Sequence, residues 1–194
     1  VEVRGWSSAC TPARVTLFAE DFDPCPATNP IPTGWNGWTV TGGPICQDAC
    51  SGGGGGGARA SDGTWTMTHV VDTRAADGDI VLCFDAGDSA SDYNETMSVQ
   101  FNADDGAGWQ NAWYWKEDWG TNGSCRRVCF HLSTVDPDVE ANDNLQIRFT
   151  LASNQTGEIV GFDDVTVDGA VYCPGAASAS IVNLRDAGGG NYAF

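Results

Sequence analysis

The chain has 194 residues, among them 25 glycines, 8 tryptophans and 8 cysteines, and its formal net charge is -17. Such a charge repels phosphate backbones and anionic lipid surfaces, so nucleic acid and membranes are not expected partners. Lysine, glutamine and methionine, which favour helices, are scarce, so strands and turns are expected to dominate.

The cysteines are even in number, and they form no cluster with histidine at zinc-binding spacing. His69 and His131 lie far apart in the sequence. Disulfides are therefore expected, and they persist in oxidising compartments. Glycosylation sequons begin at Asn94, Asn122 and Asn154. These features predict a secreted, extracellular protein.

In chain order, residues 1–14 form an N-terminal tail, and the first strand is expected over 15–22. A proline-rich loop follows, and a second strand is expected over 34–40. The segment 42–57 contains six consecutive glycines, so it is interpreted as a flexible loop that contributes nothing to the core.

The remaining strands are expected at the spacing that is typical of a β-sandwich. They are predicted over 64–68, 79–84, 95–102, 112–116, 126–132, 145–152 and 161–167. Apolar residues alternate with polar ones in 96–101 and 144–151, so each of these strands has one apolar face. The pattern predicts an all-β domain of two stacked antiparallel sheets.

A C-terminal segment, 174–194, follows the predicted domain. It begins with small residues and ends in a strand-like stretch that contains Tyr192 and Phe194. We expect this segment to pair with a sheet edge, either its own or that of a second copy of the chain.

Several stretches together resemble a MAM-type domain. They are 17–22, 34–35, 78–84, 144–151 and 157–169, and the last of them contains the sequence Asp163-Asp164-Val165. The resemblance spans residues 15–173 and implies a two-sheet jelly roll that mediates adhesion or assembly. Related jelly rolls serve as carbohydrate-binding modules. The cysteines depart from the usual MAM placement, so no disulfide pairing is transferred.

Acidic side chains occur at both ends of the predicted domain. Glu20 and Asp21 close the first strand, Asp23 lies beside it, and Asp163 and Asp164 lie in the last strand. Similar jelly rolls hold a structural cation where these strands meet, so the resemblance implies a Ca²⁺ site formed by Glu20, Asp21, Asp163 and Asp164. The alternative is that they are solvated charges that protect a sheet edge.

The segment 109–119 concentrates half of the tryptophans at odd positions. If the segment is extended, Trp113, Trp115 and Trp119 share one face. An exposed row would stack on sugar rings or bind another protein, which makes these residues candidates for a ligand or interface site. Packing in the core is the favoured interpretation, and it leaves Tyr114 on the outside.

Eight thiols allow many connectivities, but three pairings are suggested by spacing or by position at the domain ends. These are Cys46 with Cys50, Cys125 with Cys129, and Cys10 with Cys173. The last pairing would tie both tails to the domain.

The sequence contains no nucleophile elbow and no arrangement of carboxylates that is typical of a glycosidase, so the protein is not expected to be an enzyme. The leading hypothesis is an extracellular structural subunit that assembles with copies of itself by exchanging a terminal strand. The alternative is a carbohydrate-binding or adhesion module whose partner is a cell-surface glycan or protein.

Overall fold

The computed structural model describes residues 13–47, 56–60, 62–89, 94–116 and 125–171. Its strands are β1 (Ala13–Glu20), β2 (Thr39–Thr41), β3 (Ile45–Cys46), β4 (Ala58–Ala60), β5 (Gly63–Val71), β6 (Gly78–Ser89), β7 (Thr96–Asn102), β8 (Gln110–Lys116), β9 (Arg126–His131), β10 (Leu145–Ser153) and β11 (Ile159–Val171). Three short 3₁₀ helices complete the regular structure: Trp35–Gly37, Leu132–Thr134 and Pro137–Val139.

The strands form two antiparallel sheets that stack as a jelly-roll sandwich. The six-stranded sheet has the order β3-β4-β11-β6-β9, and β1 also pairs with β11. The five-stranded sheet has the order β2-β5-β10-β7-β8. The predicted all-β, two-sheet antiparallel fold is therefore confirmed.

The core lies between the two sheets and is rich in aromatic rings. Phe149 of β10 and Phe162 of β11 stack with their ring centroids 4.0 Å apart, so they join the two sheets directly. Trp38 is completely buried beside them and meets both rings edge-on or tilted. The alternation in β10 follows the predicted period, because every second residue from Leu145 to Ser153 is buried.

Two predicted elements differ from the structure. The stretch 34–40 is not one strand, because residues Trp35–Gly37 form a 3₁₀ helix and only Thr39 onward extends as β2. Gly34 and Asn36 have positive φ values of 89° and 45°, which break an extended chain. The stretch 42–57 is not merely a loop, since β3 lies within it and Cys46 is 3% exposed.

Two of the predicted disulfide pairings are wrong. Cys46 pairs with Cys25 rather than Cys50, and Cys129 pairs with Cys83 rather than Cys125. Cys83 and Cys129 lie opposite each other on β6 and β9, so their side chains share one sheet face. Cys125 is disulfide-bonded. The predicted pairing of Cys10 with Cys173 lies outside the described residues.

Removing the Cys25–Cys46 disulfide should lower the unfolding free energy by about 3 kcal/mol. The reason is that the bond closes a loop of 21 residues in the unfolded chain. Chemical denaturation of the double variant Cys25→Ala/Cys46→Ala measures the loss. The same model predicts a loss of about 4 kcal/mol for Cys83→Ala/Cys129→Ala, because that loop is longer, at 46 residues. A negligible loss in both double variants would contradict the prediction.

The described strands begin at Ala13 and end at Val171. The C-terminal segment 174–194, and with it Tyr192 and Phe194, lies outside the described residues. Among the residues that the structure describes, there is no helix with the length and apolarity of a bilayer-crossing segment.

Candidate functional site

A junction in the six-stranded sheet brings the predicted acidic residues together. On the side of β11 away from β6, β4 pairs with residues 160–162 and β1 pairs with residues 165–171. Asp163 and Asp164 lie between these two pairings, at a bulge in β11. The predicted meeting of the first and last strands is therefore observed.

Glu20, Asp21 and Asp164 line a depression of about 150 Å³ at this junction. Glu20 is buried, and both of its carboxylate oxygens have protein partners. Oε1 accepts a hydrogen bond from the backbone N–H of Phe22 at 2.9 Å, and Oε2 accepts one from Asn36 Nδ2 at 3.0 Å. Glu20 therefore anchors the chain that follows β1 and the 3₁₀ helix near β2.

Asp163 has the most perturbed carboxyl group of the junction. The pKa of Asp163 is raised to about 7. Burial is the main cause, and the negative charges of Asp164, Asp23 and Asp85 contribute to the same shift. Its Oδ1 accepts a hydrogen bond from the Asp164 backbone N–H at 2.7 Å, which only partly offsets these effects. A carboxyl group in such surroundings either keeps its proton or requires a cation.

Sequence reasoning placed Asp23 beside the first strand but missed another member of this acidic group, Asp85. Asp85 belongs to β6 and lies directly opposite Asp163 of β11, so strand register brings it to the junction. Arg127 of β9 binds Asp85 Oδ1 at 3.2 Å and the Asp164 carbonyl oxygen at 2.6 Å, so one cation already counters part of the charge. No local motif in the sequence signals the contact between β6 and β11.

A second group of carboxylates lies at one end of the sandwich. Asp105, Asp136 and Asp138 place one oxygen each within 4.8 Å of one another. Asp136 is 6% exposed, but Gln110 Nε2 donates to one of its oxygens and the Asp138 backbone N–H donates to the other at 2.9 Å. Asp136 thus caps the N-terminus of the 3₁₀ helix Pro137–Val139 and binds the side chain of Gln110, the first residue of β8.

The outer face of the five-stranded sheet, which faces away from the core, is the second candidate surface. Strand alternation and register define its members. They are Thr39, Thr41, Thr64, Thr66, Thr68, Val70, Thr96, Ser98, Gln100, Asn102, Asn111, Tyr114, Lys116, Gln146, Arg148, Thr150 and Ala152. Hydroxyl and amide side chains therefore dominate this face, which we call the outer face below.

Arg148 occupies the middle of the outer face and is held from two sides. Its Nε donates to Gln100 Oε1 at 3.1 Å, and Gln100 Nε2 in turn donates to Asn111 Oδ1 at 2.9 Å. Its guanidinium carbon lies 3.8 Å from the ring centroid of Trp109, which is a cation–π contact. Burial lowers the pKa of Arg148 from its ordinary value.

The tryptophans of β8 lie on the core side of the strand. Trp115 is 8% exposed, and Trp113 meets Phe84 edge-on with ring centroids 5.6 Å apart. Neither ring is part of an exposed platform. Tyr114, between them, is 60% exposed on the outer face. Trp119 lies outside the described residues.

Two of the sequon asparagines are exposed in the structure. Asn94 precedes β7 and Asn154 follows β10, both in turns between strands. Asn122 lies outside the described residues. Carbohydrate at Asn94 or Asn154 would therefore project from the ends of the sandwich.

No protein-family model matches the chain, and no curated protein matches it. Solved structures match at the level of fold. The CBM22-1 xylan-binding domain of Paenibacillus barcinonensis Xyn10C superposes with a TM-score of 0.54 at 11% identity, over 85% of this chain and 100% of that domain. The K2 cleaved adhesin domain of Lys-gingipain gives a TM-score of 0.53 at 9% identity, over 80% and 99% of the two chains.

The K3 cleaved adhesin domain of Lys-gingipain from Porphyromonas gingivalis is also similar, with a TM-score of 0.50 at 10% identity over 81% of this chain and 99% of that one. Identities this low show the fold alone. The chain therefore has the jelly-roll sandwich of carbohydrate-binding modules and adhesin domains. None of these three structures is a MAM domain, so the comparison supports that resemblance only as far as the shared architecture.

Proposed function

We propose that this protein is a secreted, non-catalytic glycan-binding module and that the outer face of its five-stranded sheet is the binding surface. The observation that carries the proposal is an exposed aromatic ring, Tyr114, on a sheet face that is otherwise rich in hydroxyl and amide groups. An aromatic ring and neighbouring polar groups together suit a sugar, because sugars present flat apolar ring faces for stacking and hydroxyls for hydrogen bonding.

Strand register places the polar groups in rows that lead to the aromatic ring. Tyr114 lies opposite Ser98, which lies opposite Thr150, which lies opposite Thr66. Neighbouring strands are about 4.8 Å apart, so this row alone extends over roughly 14 Å. An extended sugar chain that stacks on Tyr114 can therefore reach hydroxyls on three further strands.

The structural comparisons are consistent with this function. One similar structure is named as a xylan-binding domain, and two are named as adhesin domains. The Cys25–Cys46 and Cys83–Cys129 disulfides support an oxidising, extracellular location.

Replacing Tyr114 with alanine should weaken glycan binding by about 5- to 30-fold, because an exposed aromatic anchor contributes about 1–2 kcal/mol. A glycan array identifies a ligand, and isothermal titration calorimetry then measures its affinity. Tyr114→Phe keeps the ring and should retain most of the affinity. Val135→Ala, at a position 55% exposed on the loop after β9, is the distant control. Unchanged affinity in Tyr114→Ala would contradict the proposed surface.

We also propose that the acidic junction binds a structural Ca²⁺ ion. Asp21, Asp163 and Asp164 would supply carboxylate oxygens, the ligands that calcium prefers, and Asp23 and Asp85 add negative charge around Asp163. Glu20 would stabilise the surrounding chain through its bonds to Phe22 and Asn36. The high pKa of Asp163 supports a cation there, since a bound cation would allow that group to ionise.

The self-assembly hypothesis depends on the C-terminal segment 174–194, which lies outside the described residues. The structural comparisons favour the alternative hypothesis of a carbohydrate-binding or adhesion module, and they give no support to strand exchange.

A further inference from the structure

The outer face is unusual within this protein because of its charge. The chain has 26 acidic and 9 basic residues, yet none of the strand residues on the outer face is acidic. Two of them, Arg148 and Lys116, are basic, and Lys116 is the single lysine of the whole sequence. The outer face therefore carries positive charge on a strongly negative molecule.

Arg148 also differs from other arginines of the chain in its partners. Arg14, Arg74 and Arg127 each form an ion pair with a carboxylate, which is Asp79, Asp72 or Asp85 respectively. Within the described part of the chain, no ion pair involves Arg148, whose partners are the neutral side chains of Gln100 and Trp109. No carboxylate of the described residues therefore neutralises its charge.

The surroundings of Arg148 hold the guanidinium in place without using all of its donors. The Trp109 ring covers one flat side of the guanidinium. Gln100 Oε1 accepts hydrogen bonds from Nε and Nη2, which lie on one edge of it. A guanidinium has five N–H donors in a planar arrangement that suits a carboxylate. Because the side chain is already ordered, a ligand that binds it loses little additional side-chain entropy.

We infer that the ligand of the outer face is a carboxylated polysaccharide, in which a uronic acid residue pairs its carboxylate with Arg148. This inference rests on the proposed glycan-binding function and specifies its ligand class. Tyr114 would stack on a sugar ring of the same chain, about 12 Å from Arg148 as estimated from strand spacing and rise.

Lys116 provides a second positive charge at the edge of the outer face. Register places it two strands and four residues from Arg148, so the two charges are roughly 17 Å apart. A single sugar does not span that distance, whereas a polymer with repeated carboxylates does. The arrangement thus favours a polyuronate chain over an isolated acidic sugar.

The test compares polygalacturonate with its carboxyl-reduced form, which has the same linkages but no charge. Wild-type protein should bind polygalacturonate at least about tenfold more tightly, because a hydrogen bond to a charged group contributes more than a neutral one. Arg148→Gln should remove most of the difference in affinity between polygalacturonate and the reduced polymer, and the remainder is the contribution of Lys116. It should weaken the binding of the reduced polymer by a smaller factor, because that polymer has no carboxylate to pair with the guanidinium.

Arg14→Gln is the matched control, since it removes an exposed arginine that pairs with Asp79 on the six-stranded sheet. It should leave the affinity for both polymers unchanged. Lys116→Gln should weaken the binding of polygalacturonate alone, and raising the salt concentration should do the same by screening.

The outcomes separate the inference from the proposed function. Equal binding of both polymers by wild-type protein, or a parallel loss of both in Arg148→Gln, would overturn the inference and leave glycan binding intact. Binding of a sulfated dextran as tight as that of polygalacturonate would show attraction by charge alone and would also overturn it. If neither polymer binds but a neutral glycan does, the inference fails. If no glycan binds at all, the proposed function itself fails.

Discussion

Phe162→Ala is expected to lower the unfolding free energy by about 3–5 kcal/mol, the cost of deleting a large ring from a close-packed interior. The ring of Phe162 is fully buried and stacks on Phe149 of the opposite sheet at 4.0 Å. It also meets Phe22 edge-on, with ring centroids 5.5 Å apart, so its removal should leave a cavity bordered by both of these rings. Denaturant unfolding at neutral pH measures the loss.

Phe162→Leu keeps most of the buried volume and should cost less than the alanine variant. Tyr114→Ala is the matched aromatic truncation on the outer face, and it should change stability by no more than about 0.5 kcal/mol. A loss below about 1 kcal/mol in Phe162→Ala would show that this ring does not join the two sheets.

Calcium should raise the melting temperature of metal-free protein by roughly 5–10 °C when its concentration exceeds Kd about 100-fold. The expected reason is that the ion neutralises the carboxylates around Asp163 in the folded state only. Asp163→Asn should remove more than half of this shift, because it deletes the carboxylate at the centre of the group. Differential scanning calorimetry with and without a chelator provides the measurement.

Without calcium, the same variant should alter the pH dependence of stability. The pKa of Asp163 is about 7 in the folded protein against an ordinary value of 3.8, so the unfolded chain releases this proton first as the pH rises. The contribution of Asp163 to the free energy of unfolding of the metal-free protein therefore falls as the pH rises from about 4 to about 7. Asp163→Asn should flatten this decline and raise the melting temperature at pH 8.

Two control substitutions locate the calcium effect. Asp168→Asn removes another carboxylate of β11, one that accepts a hydrogen bond from Thr16 and lies away from the junction. It should leave the calcium shift unchanged. Asp138→Asn alters the second acidic group, near Asp105 and Asp136. If Asp138→Asn abolished the shift and Asp163→Asn did not, the proposed calcium site would be wrong.

The positions of the strands could be predicted because the signal is local. Alternation in β7 and β10 identifies the buried face of each strand without knowledge of its neighbours. The failure over residues 34–40 was also local in origin. The stretch 34–40 reads as extended, but the positive φ angles of Gly34 and Asn36 turn it into a 3₁₀ helix.

The meeting of Glu20 with Asp164 was predicted through a family resemblance, and the strand pairing of β1 with β11 brings these residues together. Asp85 was missed because its place opposite Asp163 depends on the register between β6 and β11. A shift of one residue would have moved it to the other face of the sheet.

The all-β fold, the two sheets around a core and the strongly acidic character of the molecule were all evident from the amino-acid sequence. These properties follow from composition and from a period of two residues, which short stretches of chain already contain. The disulfide partners of Cys46 and Cys129, and an outer face around Arg148 whose described strand residues include no acid, depend on the three-dimensional fold. Strand order and register bring these distant residues together, and no local pattern encodes either of them.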